Sequence, residues 1–312
     1  MGGSGGGGYF RNESPESVKV SLRREEQATA NQTFEAEVSA QIGDLLSEYN
    51  DRDEDAVRRL LDKVKQSLTA KLEDISITPV FGGSVRKHTY VNGISDVDAL
   101  LVLKGDGLFD VPPSDVLDDF EAELGRRFKD ANLLRDRMSV TLEEDDLNLQ
   151  LLPAVRKGKN LLIPSASGEE WSKVQPEAFF RKLTEINDQY GRKVVPTIKI
   201  VKGINDTFPE GQKLTGYHIE SLAIEAFRDY TGPQNTKAMI EHFFDFAKDG
   251  VLSPIRDSTG QSVHVDGYAG SKRSDCRKLM AQNLDRVARR IKNANATHSK
   301  DKWIRILNQE EE

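Results

Sequence analysis

Two short runs in the first half of the chain carry residue types suited to phosphate and metal chemistry. In Gly82-Gly83-Ser84 the glycines allow a backbone to approach a ligand closely, and the turn offers amide donors to an anion. A little further on, Ser95-Asp96-Val97-Asp98 stands at the head of the apolar run VDALLVL, residues 97–103. Along a strand, residues i and i+2 project to the same side, so Asp96 and Asp98 are predicted to hold their carboxylates a few ångströms apart. Two like charges so close raise a pKa unless a cation sits between them. A hard, oxygen-ligated divalent ion, most naturally magnesium, fits that gap. An isolated Asp-x-Asp reads more readily as a turn cap, because aspartate is common in turns. The Gly-Ser turn just before it and the apolar strand just after it favour the metal-and-phosphate reading.

The surrounding elements must hold these groups in place. Residues 75–81 read as a strand leading into the glycines, and 97–103 as a second, largely buried strand. Strands are also expected at 138–142 and 147–152, the latter ended by Pro153, with a helix at 113–128. Upstream, helices are expected at 14–24, 33–49 and 53–72. The last two have apolar residues at helical spacing: Phe34, Val38 and Ile42 in one, Val57, Leu61, Val64 and Leu68 in the other. Beyond Trp171 strand signals fade, and helices are predicted at 176–187, 194–205, 215–230, 236–248 and 273–294. The fold class expected is α+β and bilobed: a small mixed sheet with helices, then a helical lobe, with ligands in the cleft between them. The expected division is a flexible Gly-rich leader over 1–13, a sheet-bearing lobe with the N-terminal helices over 14–175, and a helical lobe over 176–312.

Composition narrows the class. The 312 residues include 30% charged and 37% hydrophobic types, which describes a soluble globular protein. No run approaches ~18 apolar residues, so no membrane span is expected, and no secretory signal is read at the start. The single cysteine, Cys276, can make neither an internal disulfide nor a cysteine zinc site. A reducing, cytoplasmic setting fits. With 44 basic against 51 acidic residues the net charge is −7, so a nucleic-acid partner is possible but not favoured.

Further groups sit in the helical half. Lys199 and Lys202 are three apart on a predicted helix and share a face, where either could hold triphosphate oxygens as a point charge, or simply be solvated. Tyr217, at the next helix start, could stack on a base, touch phosphate or pack in the core. His218 reads as a packed, hydrogen-bonded histidine. Arg86, Lys87 and His88 could meet an acceptor or an incoming nucleotide, or form a plain basic loop. Residues 257–261 read as a turn, with Asp266 in a structural role beyond it.

The pattern of Gly83, Ser84, Asp96 and Asp98 resembles the signature of DNA-polymerase-β-type nucleotidyltransferases. Within that superfamily the chain is similar to the bacterial cGAS/DncV-like nucleotidyltransferases (CD-NTases, SMODS type), relatives of oligoadenylate synthases. The likeness extends through Gln150-Leu151-Leu152-Pro153-Ala154, Trp171, VPTIKIVK at 195–202, GYHIESL at 216–222 and SPIRDSTGQSVHVD at 253–266. The resemblance implies a polymerase-β-like fold and two-metal nucleotidyl transfer with Mg²⁺ or Mn²⁺ on Asp96 and Asp98. It implies that Gly83 and Ser84 hold the β- and γ-phosphates, and it adds weight to Lys199, Lys202 and Tyr217 as nucleotide-binding residues. Nucleoside triphosphates would be the substrates and a cyclic or short oligonucleotide second messenger the product, read by an effector protein in antiphage defence. One position departs from the pattern: where such enzymes place a third carboxylate, this chain has Gln150, whose amide coordinates weakly and adds no charge. Three readings follow: a synthase working with Gln150 and a substrate oxygen at the metal, a nucleotide-binding regulator with weak or no turnover, and an inactivating replacement. Transfer to a tRNA 3′ end, or to another macromolecule or drug hydroxyl, is a further alternative.

Overall fold

The computed structural model describes residues 15–51, 53–71, 76–81, 83–104, 107–145, 147–158, 160–165, 167–174, 176–256 and 265–308. The glycine-rich leader, the turn expected at 257–261 and the last residues lie outside them. Among the described residues seven strands form one mixed sheet. Its central ladder is β2 (Val97–Lys104) running parallel to β5 (Leu147–Lys157), with β1 (Ser76–Phe81) antiparallel on the far edge of β2. β4 (Val140–Glu144) and β3 (Asn132–Arg135) extend the sheet beyond the first part of β5. β6 (Asn160–Pro164) and β7 (Trp171–Val174) extend it from the second part.

The strand period of two sorts the side chains. Val97, Ala99, Leu101 and Leu103 of β2, Leu149, Leu151 and Val155 of β5, and Val140 and Leu142 of β4 all point to one face and are buried. They pack on α2 (Glu54–Lys71), through Val57, Leu61, Val64 and Leu68, and on α4 (Pro113–Arg127), through Leu117, Phe120 and Leu124. Asp98, Leu100, Gln150 and Leu152 are on the opposite face.

β5 continues four residues past Pro153, where the sequence reading ends it. On that edge β4 stops at Leu151 and β6 starts at Val155. Pro153 falls in the change of partner, where that edge asks for no ladder bond and a missing N–H is tolerated.

The second hydrophobic cluster is helical: α5 (Pro176–Gln189), α6 (Val194–Asp206), α7 (Gly216–Ala226), α8 (Thr236–Gly250), α9 (Asp275–Ala296) and α10 (Lys300–Asn308). α1 (Pro15–Asn50) joins it through Phe34, Val38, Ile42 and Tyr49, so by packing this helix goes with the helical half and not with the sheet. α1 is also one helix, not the two expected. The stretch EEQATANQT between them is polar and carries no hydrophobic period, but it contains no glycine or proline to break the helix. α10 was not expected either, although Trp303, Ile306 and Leu307 are all buried. Among the described residues no helix is long and apolar enough to cross a membrane.

Candidate active site

Asp96 and Asp98 lie at the start of β2, on the sheet face away from α2 and α4. The connection leading to them is pinned: Ser95 N–H donates to Val91 O at 2.9 Å, while Val91 N–H donates to Ser95 Oγ at 3.2 Å. Asn92 N–H donates to Tyr49 O at the end of α1, at 3.1 Å. The sheet register then sets what stands beside each aspartate. Asp98 pairs with Gln150 of β5, which in turn pairs with Thr141 of β4. One step back, Asn148 hydrogen-bonds the Asp96 side chain and pairs with Glu143 across β4.

Burial raises the Asp96 carboxyl above the usual range, and the charge of Asp98 raises it further. Asp98 is raised as well, by its own burial, although the Ser84 amide and the ammonium of Lys87 pull the other way. A cation between the two would relieve both penalties.

Gly83 and Ser84 open a short helical turn, α3 (Gly83–Arg86), against this pair. Ser84 N–H donates to Asp98 Oδ2 at 3.0 Å. Gly83 has φ +46°, and a Cβ there would lie 1.6 Å from Asp98 Oδ2. The position therefore demands glycine on two counts: a left-handed backbone and contact with a carboxylate oxygen. Ser84 Oγ is buried with no hydrogen-bond partner among the described residues, a cost normally avoided unless a ligand supplies the partner.

These features fit a divalent cation with a phosphate beside it. Among the described residues no three histidine, cysteine or acidic side chains stand close enough to share a metal ion. Glu143, in the same row as Asp96, instead accepts a hydrogen bond from Asn132 Nδ2 at 2.8 Å. Among the described residues two carboxylates are thus on offer at this point, and ligand oxygens would have to complete the coordination shell.

A cleft of about 850 Å³ opens over this face, lined by Gly83, Ser84, Asp96 and Asp98 from the sheet side and by Lys202 and Tyr217 from the helices. The structure therefore brings those six predicted residues together, with Gln150 beside Asp98 in the ladder. It does not bring Lys199 with them. Lys199 Nζ donates to Asn50 Oδ1 and lines a separate cavity with Tyr49 and Arg192. Sharing a helix face did not suffice, because a three-residue step also moves ~4.5 Å along the axis, enough to carry Lys199 past the cleft to the end of α1.

Lys202 is at the floor of the cleft, but its ammonium is already engaged, with Glu220 Oε1 at 3.0 Å and Thr89 O at 3.0 Å. Glu220 also binds Lys87 and the Thr89 hydroxyl. Burial alone would raise the Glu220 carboxyl, yet Lys202 and Lys87 outweigh it and hold it at about 2. Of the basic run after the turn, Arg86 pairs with Glu177 at 2.6 Å, Lys87 enters the cleft, and His88 is exposed with φ +57°. Tyr217 packs on Phe179, with ring centres 4.7 Å apart. His218 is fully buried, its Nδ1 2.8 Å from the Tyr268 hydroxyl and its Nε2 3.5 Å from Asp266. Asp266 is locked by Arg277 at 2.6 Å, so both have the structural parts expected of them.

Sequence reading passed over Glu220, Thr89 and Phe179. The signal for Glu220 was present, as an acid between the apolar residues Ile219 and Leu222, but its partners come from two distant segments.

Known proteins resemble this chain in sequence and in fold. Residues 37–187 match the Second Messenger Oligonucleotide or Dinucleotide Synthetase (SMODS) domain. A Bacillus cereus protein named "Probable cyclic nucleotide synthase" is 22% identical over 215 residues, 57% of this chain. The match takes in 64% of that relative, so the chain spans under two thirds of its length. Among solved structures, E. coli CdnC with ATP superposes with a TM-score of 0.63 at 12% identity, covering 89% of this chain and 96% of that one. The CD-NTase CdnG of Bradyrhizobium diazoefficiens, in complex with GTP, gives 0.61 at 15% identity, covering 81% and 90%. At such identities the structural likeness speaks for the fold alone: a polymerase-β-like sheet lobe with a helical lobe. With Gly83, Ser84, Asp96 and Asp98 assembled on one cleft face inside the SMODS-matched region, the chain is similar to the cGAS/DncV-like nucleotidyltransferases, the CD-NTases.

Proposed function

We propose that this protein is a divalent-metal-dependent nucleotidyltransferase. It links nucleoside triphosphates into a cyclic or short oligonucleotide second messenger, acting in the cytoplasm in bacterial antiphage defence. The observation that carries the reading is the convergence of Asp96, Asp98, Gly83 and the unpartnered Ser84 hydroxyl on one cleft face. The names of similar proteins support the product class: a cyclic nucleotide synthase by sequence, and structures holding ATP or GTP by fold.

Asp96 and Asp98 would hold Mg²⁺ or Mn²⁺, which when bound neutralises phosphate charge and lowers the pKa of an attacking hydroxyl. Ser84 Oγ is free to donate to a phosphate oxygen, since the Ser84 amide is committed to Asp98. Gly83 lets the nucleotide tail come down to the carboxylates without a side chain in the way. Lys87 and Lys202 put positive charge at the cleft floor, and Phe179 and Tyr217 give an aromatic wall for a base. The reaction served is displacement at the α-phosphorus: the hydroxyl oxygen bonds to phosphorus as the bond to pyrophosphate breaks. Positioning and charge neutralisation do most of the catalytic work.

Gln150 beside Asp98 favours one competing reading, a nucleotide-binding regulator with weak or no turnover. Incubation of the purified protein with the four ribonucleoside triphosphates and Mg²⁺ or Mn²⁺ separates the two. The synthase reading expects pyrophosphate release and an oligonucleotide product resistant to phosphatase if cyclic. Triphosphate binding without pyrophosphate under any condition, phage-infected extract included, would overturn the synthase reading and leave the regulator. An effector protein that reads the product would be the downstream partner.

A further inference from the structure

The charge cluster of Lys87, Glu220 and Lys202 joins three separate parts of the chain at the cleft floor. Glu220, on α7, is 1% exposed and divides its carboxylate between two ammonium groups, Oε1 accepting from Lys202 and Oε2 from Lys87. Thr89 Oγ1 also donates to Oε1, and Thr89 N–H donates to Ser84 O at 2.9 Å, so the grip of Glu220 is passed directly to the phosphate turn. Two ammoniums and one carboxylate leave one net positive charge, and all three groups act on Asp98.

The two lysines are held unequally. Lys202 has three acceptors: Glu220 Oε1, Thr89 O and Thr89 Oγ1 at 3.3 Å. Lys87 has one among the described residues, Glu220 Oε2, and otherwise lies against aromatic rings, 5.0 Å from the centre of Phe179 and 5.4 Å from that of Tyr217. A polyphosphate carries several negative charges and many acceptor oxygens, so it competes well against a single carboxylate oxygen for an ammonium. It competes poorly against a buried, three-way grip.

We infer that Glu220 is a positioning residue for the triphosphate: it parks Lys87 at the cleft floor, yields it to an incoming polyphosphate, and takes it back as pyrophosphate leaves. Lys202 stays fixed throughout and keeps Thr89, and with it the Ser84 turn, in place. This rests on the nucleotidyltransferase reading.

The test is calorimetric binding of inorganic triphosphate to the full chain, with melting curves alongside. Removing the competing charge in Glu220→Gln should tighten triphosphate about ten-fold. In turnover with ATP it should lower both KM and kcat, because pyrophosphate is no longer displaced. Glu220→Asp, which keeps the charge, should return both toward wild type. Lys87→Met, which leaves Glu220 covered by Lys202 and Thr89, should melt near the wild-type temperature and bind triphosphate about ten-fold more weakly. A purely structural role for Glu220 would move melting without tightening triphosphate, and a folded Glu220→Gln with unchanged or weaker binding overturns the inference. If Glu220→Gln does not fold, Lys87→Met decides, and unchanged triphosphate affinity there overturns it. Absence of triphosphate binding by the wild-type protein would instead bring down the nucleotide reading beneath it.

Discussion

Gln150 stands directly across the β2–β5 ladder from Asp98, in parallel register and on the same face of the sheet. An aspartate at that point would make a third carboxylate beside two that burial already holds above their usual range. Gln150→Asp should therefore bind Mn²⁺ about ten-fold more tightly and, without metal, melt at a lower temperature than the wild type. Manganese titration calorimetry and paired melting curves check both halves. A drop in manganese affinity would remove Gln150 from the metal neighbourhood.

Gly83 is the most exacting position in the site. Its left-handed backbone disfavours any side chain, and a Cβ would collide with Asp98 Oδ2 at 1.6 Å. Gly83→Ala must push the turn and Asp98 apart. Because the clash is local, the cost should fall on function first: loss of triphosphate binding by about a hundred-fold, against a stability loss of about 2 kcal/mol. Denaturant unfolding and triphosphate calorimetry on the same preparation separate the two, and undiminished binding would contradict the close packing of turn and carboxylate.

His218 gives the fold an acid sensitivity of known sign. Burial lowers its pKa to about 4, with Arg277 adding to the effect and Asp266 opposing it. In the unfolded chain it titrates near ~6.5. Between those values the unfolded state binds the extra proton, so stability is lost as pH falls through that window, by about 2 kcal/mol from pH 7 to pH 5. Glu220, held down at about 2, withdraws its contribution only below about pH 4.5, so the two effects separate. Urea unfolding of the wild type and of His218→Asn across pH 5 to 7 should show that the substitution removes the loss of stability toward pH 5 that His218 causes.

The clustering of Gly83, Ser84, Asp96 and Asp98 was legible because each of its signals is local. Two aspartates two residues apart on a strand must share a face, and a Gly-Ser turn feeding that strand must lie near them; neither statement needs the rest of the molecule. Lys199 and Lys202 show where this stops. Their common helix face could be read from spacing, but which of them reaches the cleft depends on where α6 sits along its axis against α1 and α7, and tertiary packing decides that. Glu220 was missed for a related reason. Its two ammonium partners come from before β2 and from α6, and nothing in the local stretch names them. The continuity of α1 escaped because its middle is polar all round, so the hydrophobic period that betrays an amphipathic helix is absent there.

At the start of β2 and in the first part of β5, odd-numbered positions are buried against α2 and α4, whereas Asp98, Leu100 and Leu152 line the cleft. Changes at Ala99, Leu101, Leu149 or Leu151 would be paid in melting temperature, whereas changes at Leu100 or Leu152 would alter what the cleft accepts with little call on the core. Selection could therefore retune substrate preference in this sheet one alternate residue at a time, without renegotiating the protein's stability at each step.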